Sequence, residues 1–344
     1  MPAVDLAPFG LVLGHAADAE GATGCTVVRG AERALRAAHA LVGRASASRE
    51  LAAASPDHLV GRADAVLLTG GSAYGLDAAA GVMRWMEERG RGFPVGGGPG
   101  GAGVVPIVPA AALFDLLPLG HFDRRPTPAM AYAACEAARP VADAHGSVGA
   151  GTGLTVGKAL GAAGAMKGGL GVADAWDGAP GTLLGVAAVA AVNAFGDVRD
   201  AAGRVLAGAR RPDGTFANGP GANGPGAGDA PAPVVPNVTP SYANTALCVV
   251  AASRPLDRVA LAQLARAAGA ALYRRITPSG TTVDGDVVFA LCPDDPPPDP
   301  DPPTDRLRLE VLAVRALEEA IERAVRCAVG RDGVPGLADP TPVP

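Results

Sequence analysis

The sequence is poor in aromatic side chains, which make up 4% of its 344 residues although 49% of the residues are hydrophobic. The core must therefore be built mainly from Ala, Val and Leu. Cysteine is also scarce: the five cysteines are scattered, odd in number and without a Cys-x-x-Cys pair, a pattern typical of small buried side chains in a reducing compartment. The five histidines have no metal-ligand spacing, so we expect neither a metal site nor a cofactor.

Charge of one sign is not in large excess, because 29 Lys and Arg face 34 Asp and Glu. No basic stripe is present, so a nucleic-acid partner is not expected. The chain begins without a basic-then-apolar leader, and its longest apolar run, 183–191, is too short and Ala-rich to cross a bilayer. A cytoplasmic protein without a membrane partner is the default expectation, and 344 residues can bury a substantial core.

Local patterns predict alternating strands and helices. Strands are expected at 24–28 and 65–68, and the run 183–198 reads as a strand pair or one long buried strand. Helices are expected from about 76 to 90, from 128 to 138 and from 307 to 329. A further helix is expected to be capped by Ser253, with Pro255 in its first turn, and to end near 274. Strand, long helix and strand would then follow one another after residue 245.

Three familiar motifs are incomplete. Gly157-Lys158 lacks the earlier glycine and the following Ser or Thr of a P-loop, and the glycines at 149, 151 and 153 do not have the spacing of the dinucleotide fingerprint. Ser72 misses the nucleophile-elbow pattern by one position. The chemistry must therefore come from other residues.

The most informative stretch is an abrupt change of composition before Thr245. The segment 217–240 is rich in Gly, Pro, Asn and Ala and is expected to be flexible, whereas 246–250 is an apolar strand-like run. If the Asn244–Thr245 bond is cut, Thr245 carries both a hydroxyl and a free α-amine with a pKa of about 7.7–8.0, and this amine can serve as its general base. The alternative is an ordinary threonine at a loop-to-strand boundary.

Four more polar residues interrupt apolar or glycine-rich stretches. Asp284 and Asp286 stand two residues apart, so that on a strand both carboxylates would share one face, although Asp-Gly is also a frequent turn signal. Asn193 lies in a buried run and needs a hydrogen-bond partner, or it can direct its NH₂ group at a developing oxyanion. Lys158 is either a surface cation or part of the same site.

These residues stand in motifs that resemble the self-processing family of β-aminopeptidases and nylon-oligomer hydrolases. The similarity spans about residues 10–329 and keeps the order of the family's motifs, which are listed here: 24–28, 69–77, 149–158, 192–196, Asn244-Thr245 and 284–290. The aminopeptidase branch of this family typically has a Ser nucleophile with a Ser-x-Glu motif downstream. The Thr nucleophile and Asp-x-Asp motif of this chain are closer to the nylon-oligomer-hydrolase branch. Many relatives have Tyr where this chain has Phe114, so a hydroxyl is missing there.

The resemblance implies an α/β fold, a four-layer α/β/β/α sandwich of the N-terminal-nucleophile-hydrolase type. It implies one hydrolase domain, 1–344, that cleaves itself at Asn244–Thr245 into a larger chain, 1–244, and a smaller chain, 245–344, which stay associated. Thr245 would be the nucleophile, and Asp284 and Asp286 would orient its amine and hydroxyl. Lys158 would favour the deprotonated hydroxyl, and Asn193 would donate to the oxyanion. A homo-oligomer, a tetramer from the family, is also implied.

We therefore expect an amide or peptide hydrolase that uses an N-terminal threonine. Its substrates would be short amides with free amines, such as 6-aminohexanoate oligomers or peptides of β- or D-amino acids. Two alternatives remain from the sequence: an acyltransferase of the ornithine-acetyltransferase type, which also cleaves itself before a threonine, and a non-catalytic protein whose glycine loops bind an anion.

Overall fold

A computed structural model describes residues 1–96, 102–179, 184–218, 244–298 and 302–340. The glycine- and proline-rich segment 217–240 lies outside the described residues except for its first two positions.

The described residues form twenty strands and five α-helices, numbered here in chain order. The strands are β1 (Val4–Asp5), β2 (Leu11–Asp18), β3 (Thr23–Gly30), β4 (Leu35–Leu41), β5 (Ala47–Arg49), β6 (Arg62–Ala63), β7 (Ala65–Thr69), β8 (Phe93–Val95), β9 (Gly103–Val105), β10 (Ala110–Ala112), β11 (Val141–Ala142), β12 (Thr155–Val156), β13 (Met166–Lys167), β14 (Gly169–Trp176), β15 (Gly185–Asn193), β16 (Asp197–Arg199), β17 (Val205–Ala207), β18 (Thr245–Ala252), β19 (Ile276–Thr277) and β20 (Val287–Pro293). The helices are α1 (Ala79–Glu87), α2 (Pro128–Glu136), α3 (Arg258–Ala268), α4 (Ala270–Arg275) and α5 (Pro303–Arg326). None of these helices combines the length and the apolar character that crossing a bilayer requires.

Two sheets stack face to face and each is covered by helices on its outer side. One sheet has the strand order β2-β3-β7-β10-β5, and the other has the order β14-β15-β18-β20-β4-β6. A shared core of inward-facing residues such as Leu68, Val249 and Phe289 fills the space between them. Helices α1 and α2 pack on the five-stranded sheet, and α3, α4 and α5 pack on the six-stranded sheet. The predicted four-layer α/β/β/α sandwich is therefore confirmed.

Small residues let these layers approach one another closely. Strand β15 consists of Gly, Ala and Val until its last residue, Asn193, and all nine of its residues are buried. On the neighbouring strand β14, a methyl group added at Gly171 would lie 2.0 Å from the carbonyl oxygen of Ala320 in α5. Glycine is needed there because any larger residue would push the helix away from the sheet.

The expected order of strand, helix and strand after residue 245 is observed, and the two strands are adjacent and parallel. Strands β18 and β20 pair in parallel with Leu247 opposite Val287, and helices α3 and α4 form the crossover between them. On its other side β18 pairs antiparallel with β15, which places Asn193 opposite Thr245. The first residue of β18, the last residue of β15 and the turn before β20 therefore meet at one edge of the sheet.

The prediction that Ser253 caps the crossover helix is wrong. Helix α3 begins at Arg258, and Asp257, whose side chain accepts a hydrogen bond from the Ala260 N–H group, is its N-cap. The hydroxyl oxygen of Ser253 instead accepts a hydrogen bond from the Gly185 N–H group, 3.0 Å away on β15. The segment between 253 and 257 is therefore a connection that leaves the sheet before the helix starts.

Asp284 and Asp286 do not lie on a strand, which was one of the two arrangements considered above. Strand β20 begins at Val287, so both carboxylates belong to the turn that precedes it. The run 183–198 contains one long strand, β15, and then the short strand β16. The strands expected at 24–28 and 65–68 are confirmed as parts of β3 and β7.

The inter-sheet core generates a prediction about stability. Replacement of Phe289 by Ala removes a ring that is fully buried between the two sheets, and we expect the free energy of unfolding to fall by about 3–5 kcal/mol. Leu307→Ala in α5 is the matched control, because the Leu307 side chain is 61% exposed and its loss should cost less than about 0.5 kcal/mol. Urea unfolding of the two variants measures both values, and equal effects would contradict this assignment of the core.

Candidate active site

The peptide bond between Asn244 and Thr245 lies at the sheet edge defined above. The Thr245 hydroxyl donates a hydrogen bond to the carbonyl oxygen of Asn244 at 2.6 Å. The same oxygen accepts a second hydrogen bond from the Gly285 N–H group at 2.8 Å. Asn244 and Thr245 are 1% and 5% exposed, so this carbonyl group is shielded from bulk water.

Close backbone approach at Gly285 makes this arrangement possible. A methyl group at position 285 would lie 2.7 Å from the Thr245 hydroxyl oxygen and 2.8 Å from the Ala45 carbonyl oxygen. The turn is held from the other side by the end of β4, because Val42 donates to the Asp286 carbonyl and Ala45 donates to the Asp284 carbonyl, each at 2.9 Å. The Gly285 N–H group is therefore fixed before any reaction begins.

Asp286 reaches the backbone next to the threonine. Its Oδ1 atom accepts a hydrogen bond from the Ala246 N–H group at 2.6 Å. Its Oδ2 atom accepts from the Ser279 hydroxyl at 3.1 Å and from the Gly280 N–H group at 3.3 Å. The carboxylate thus connects the start of β18 to the loop before the turn.

The Asp284 carboxylate accepts hydrogen bonds from Thr281. The N–H group and the hydroxyl of Thr281 donate to its Oδ2 atom at 2.9 and 2.7 Å. A backbone bridge also links Asp284 to Asn244. Both aspartates are nearly fully buried beside the candidate scissile bond.

Asn193 and Lys158 form the opposite wall of the site. The Nζ atom of Lys158 donates to the backbone oxygen of Asn193 at 3.1 Å and to its side-chain oxygen at 3.0 Å. That side-chain oxygen also accepts from the Thr155 N–H group at 3.0 Å, whereas Nδ2 donates to the Phe114 carbonyl oxygen at 2.8 Å. The amide oxygen therefore faces the lysine, and one N–H bond of Nδ2 points to the segment that contains Phe114.

Burial changes the proton affinities of two groups in the site. Removal from water lowers the pKa of Lys158 to about 7, although the negative charge of Asp284 opposes this change. Burial, and then the neighbouring Asp284, raises the pKa of Asp286 to about 6. A lysine whose pKa lies near 7 is present in both protonation states at neutral pH, which suits a group that exchanges protons during catalysis.

All five predicted site residues and Asn244 come together at one sheet edge, but the sequence analysis missed several groups. Two of these groups donate hydrogen bonds to the carboxylates, namely Ser279 and Thr281, and the third, Gly285, lies between the two aspartates. All three are close to Asp284 in the chain, and this proximity is the sequence signal that could have identified them. The backbone groups of Phe114 and Thr155 gave no signal, because every residue type carries them.

The missed residue with the clearest sequence signal is Lys167. Of the 29 Lys and Arg residues, the two lysines are Lys158 and Lys167, and the other 27 are arginines. Both lysines have lowered pKa values, near 7, because they are removed from water. A chain that uses arginine at every other basic position has lysine at one half-buried and one buried position close to the site.

Comparison with known proteins identifies the family. The model of peptidase family S58 matches residues 9–337. The chain belongs to peptidase family S58. The name of the family agrees with the enzyme class predicted from the sequence, a hydrolase of amide or peptide bonds.

The similar proteins fall into two groups by name, aminopeptidases and 6-aminohexanoate-oligomer endohydrolases. An uncharacterized aminopeptidase of Mycobacterium leprae is 43% identical over 251 residues, which cover 71% of this S58 chain and 64% of that protein, slightly less than two thirds. A 6-aminohexanoate-oligomer endohydrolase of an Agromyces species is 29% identical over 338 residues, which cover 91% of this chain and 81% of that protein.

Solved structures agree with the fold. A β-aminopeptidase of a Burkholderia species is 18% identical with a TM-score of 0.66, covering 95% of this chain and 88% of that chain. The L-aminopeptidase D-Ala-esterase/amidase of Ochrobactrum anthropi, described as a variant of the Ntn hydrolase fold, is 18% identical with a TM-score of 0.66, covering 93% of this chain and 84% of that chain. The S58 chain therefore has the Ntn-hydrolase-like fold that was predicted.

The raised pKa of Asp286 generates a prediction about pH and stability. Because the folded state binds this proton more tightly than the unfolded state, the contribution of Asp286 to stability is largest below its ordinary pKa of 3.8 and is lost as the pH rises through about 6. The shift corresponds to about 3 kcal/mol. The test adds Asp286→Asn to a chain that carries Thr245→Ala. As the pH rises from 4 to 7, the free energy of unfolding of this double variant should increase by about that much relative to Thr245→Ala alone. Urea unfolding across this range measures the difference, and a difference that does not change with pH would contradict the prediction.

Proposed function

We propose that this S58 member is a self-cleaving amide hydrolase whose nucleophile is Thr245, released as a new N-terminus by cleavage of the Asn244–Thr245 bond. The observation that carries the proposal is the contact of the Thr245 hydroxyl with the Asn244 carbonyl group at 2.6 Å, together with the Gly285 N–H group 2.8 Å from the same oxygen. A nucleophile and a hydrogen-bond donor thus meet at one peptide bond.

Cleavage starts with addition of the Thr245 hydroxyl oxygen to the Asn244 carbonyl carbon. The hydroxyl oxygen gives up the proton that the Thr245 nitrogen receives in the next step, and the carbonyl oxygen becomes an oxyanion that the Gly285 N–H group stabilises. The carbon–nitrogen bond then breaks, the Thr245 nitrogen takes up a proton, and an ester joins the two residues. Water hydrolyses this ester and leaves a carboxylate on Asn244 and a free amine on Thr245.

The surrounding charges favour these steps. Lys158, with a pKa near 7, contacts Asn193, the residue that pairs with Thr245 across β15 and β18, and it favours the deprotonated hydroxyl. Asp286 fixes the Ala246 N–H group directly after the nucleophile and, with Asp284, provides a negative environment for the new ammonium group. Asn193 is the proposed side-chain donor to the oxyanion of an external substrate.

After cleavage the same oxygen attacks an external amide. The Thr245 amine takes the hydroxyl proton, the amine product leaves, and water hydrolyses the acyl-enzyme. Strand β18 pairs with β15 along its whole length, and β20 pairs with β4, so both pairings join residues of 245–344 to residues of 1–244. The chains 1–244 and 245–344 therefore stay together, and we propose that such units assemble into a cytoplasmic homo-oligomer.

The proposed substrates are short amides with a free amine. The names of the relatives support two classes, oligomers of 6-aminohexanoate and peptides cut by an aminopeptidase, including β- or D-amino-acid peptides. Two buried carboxylates at the site favour an ammonium group on the substrate. A panel of 6-aminohexanoate oligomers, β-alanyl amides and D-alanyl amides distinguishes these classes, and an added amine acceptor shows whether the acyl group passes to an amine or to water.

Self-cleavage is tested by denaturing electrophoresis and N-terminal sequencing of purified protein. We expect wild type to give two pieces, 1–244 and 245–344, with Thr as the first residue of the smaller piece. Thr245→Ala should remain one uncut chain without hydrolase activity, because it lacks the attacking oxygen. Thr245→Ser is the matched control and should still be cut. An intact wild-type chain that hydrolyses amides would refute the mechanism.

The backbone donor is tested by Gly285→Ala. The added methyl group would lie 2.7 Å from the Thr245 hydroxyl oxygen and would displace either the nucleophile or the N–H donor. Loss of one oxyanion donor typically costs a factor of about 10²–10³, so we expect the half-time of self-cleavage to rise by about a hundredfold or more.

Gly103→Ala is the matched control for this variant, because a methyl group at position 103 meets nothing within 4 Å. The time course of chain cleavage during expression and purification measures both variants. Cleavage of Gly285→Ala at the wild-type rate would remove the Gly285 N–H group from the mechanism.

A further inference from the structure

Lys167 is a buried cation that lies behind the candidate active site. It is 1% exposed, and its Nζ atom donates to the carbonyl oxygens of Leu154, Gly168 and Gly151 at 3.1, 3.2 and 3.3 Å. An ammonium group has three N–H donors, so these three acceptors satisfy it completely. The hydrogen bonds of this ammonium group thus go to backbone carbonyls, two of them in the loop that leads into β12 and one directly after β13.

One of these acceptors belongs to a peptide group that orients Asn193. The carbonyl oxygen of the Leu154–Thr155 peptide accepts from Lys167, and the N–H group of the same peptide donates to the Asn193 side-chain oxygen at 3.0 Å. A cation at the oxygen end of a peptide polarises it and strengthens the donor at its nitrogen end. Lys167 therefore acts on the Asn193 amide through a single peptide group.

The second backbone contact of the Asn193 amide lies next to a buried anion. Its Nδ2 atom donates to the carbonyl oxygen of Phe114, and the next residue, Asp115, is fully buried. Asp115 accepts hydrogen bonds from the Thr23 hydroxyl and the Gly71 N–H group, both at 2.7 Å. The charges of Asp115 and Lys167 stabilise each other, since each shifts the pKa of the other towards its ionised form.

We propose that Lys167, supported by Asp115, is a positioning residue that fixes the orientation of the Asn193 amide for the reactions of Thr245. This inference rests on the function proposed above. It explains why lysine occurs here in a chain of 27 arginines, because a compact ammonium with three donors fits three converging carbonyl groups, whereas a planar guanidinium does not.

The test compares Lys167→Met with Arg323→Met. Methionine keeps the length of the lysine side chain and removes its charge. Arg323 is a matched structural control, because it is also a buried cation that donates to a backbone carbonyl, that of Val172 at 3.0 Å, but on the side of the sheet covered by α5. Self-cleavage rate, kcat, KM and thermal midpoint are measured for both variants and wild type.

We expect Lys167→Met to lower kcat by about tenfold to a hundredfold with little change in KM, because a misplaced group costs rate more than binding. Arg323→Met should lower the thermal midpoint but keep kcat within about twofold of wild type. Equal losses of kcat in the two variants, or wild-type kcat in Lys167→Met, would overturn the positioning role.

A double-mutant cycle tests whether Lys167 acts through Asn193. If it does, Lys167→Met combined with Asn193→Ala should have the same kcat as Asn193→Ala alone, within about twofold. Multiplicative losses would show that Lys167 acts elsewhere and would overturn the inference.

If Lys167→Met does not fold, Asp115→Asn replaces it. Asparagine keeps the size and an acceptor for the Gly71 N–H group but removes the charge, so kcat should fall severalfold without a loss of folded protein. Unchanged kcat in this variant would overturn the inference. A wild-type protein that neither cleaves itself nor hydrolyses amides would instead refute the proposed function, so the two failures are distinguishable.

Discussion

The hydrogen bond from the Gly285 N–H group to the Asn244 carbonyl oxygen is the contact on which the site depends. It exists because β18 and β20 are parallel neighbours, which brings the start of one strand beside the turn that precedes the other. The crossover through α3 and α4 covers the sheet and returns the chain to the same edge. Without this pairing, Thr245 and the two aspartates, about 40 residues apart in the chain, would have no reason to meet.

Much of this could be predicted because its signals are local or follow from strand order. The change of composition before Thr245 marked the beginning of a buried strand, and local patterns gave the order of strand, helix and strand that follows it. Asn193 stood out because it is a polar residue in a run of Ala and Val. Each of these signals is a contrast between a residue and its neighbours, and such contrasts remain visible in a single sequence.

Other features could not be predicted because they depend on partners far away in the chain. The Ser253 hydroxyl has a strand partner, Gly185, so a pattern that favours a helix cap was overridden by the sheet. Asn193 lies opposite Thr245 because of the register between β15 and β18. The order of the elements along the chain does not determine this register. The contacts of Lys167 with three backbone carbonyls could not be predicted either. They depend on how the backbone folds around the side chain, and backbone carbonyls leave no pattern of residue types in the sequence.

The scarcity of aromatic residues and the closeness of the active-site contacts have a common physical basis. A core of Ala, Val, Leu and Gly lets backbones approach one another, as at Gly171 beneath α5 and at Gly285 beside Thr245. At such distances, backbone N–H and C=O groups replace side chains as the donors and acceptors of the site. Backbone groups are fixed by the sheets and need no side-chain ordering, so they provide a preorganised oxyanion environment at little entropic cost. Lysine serves where a cation must fit among converging carbonyl groups, as at Lys167.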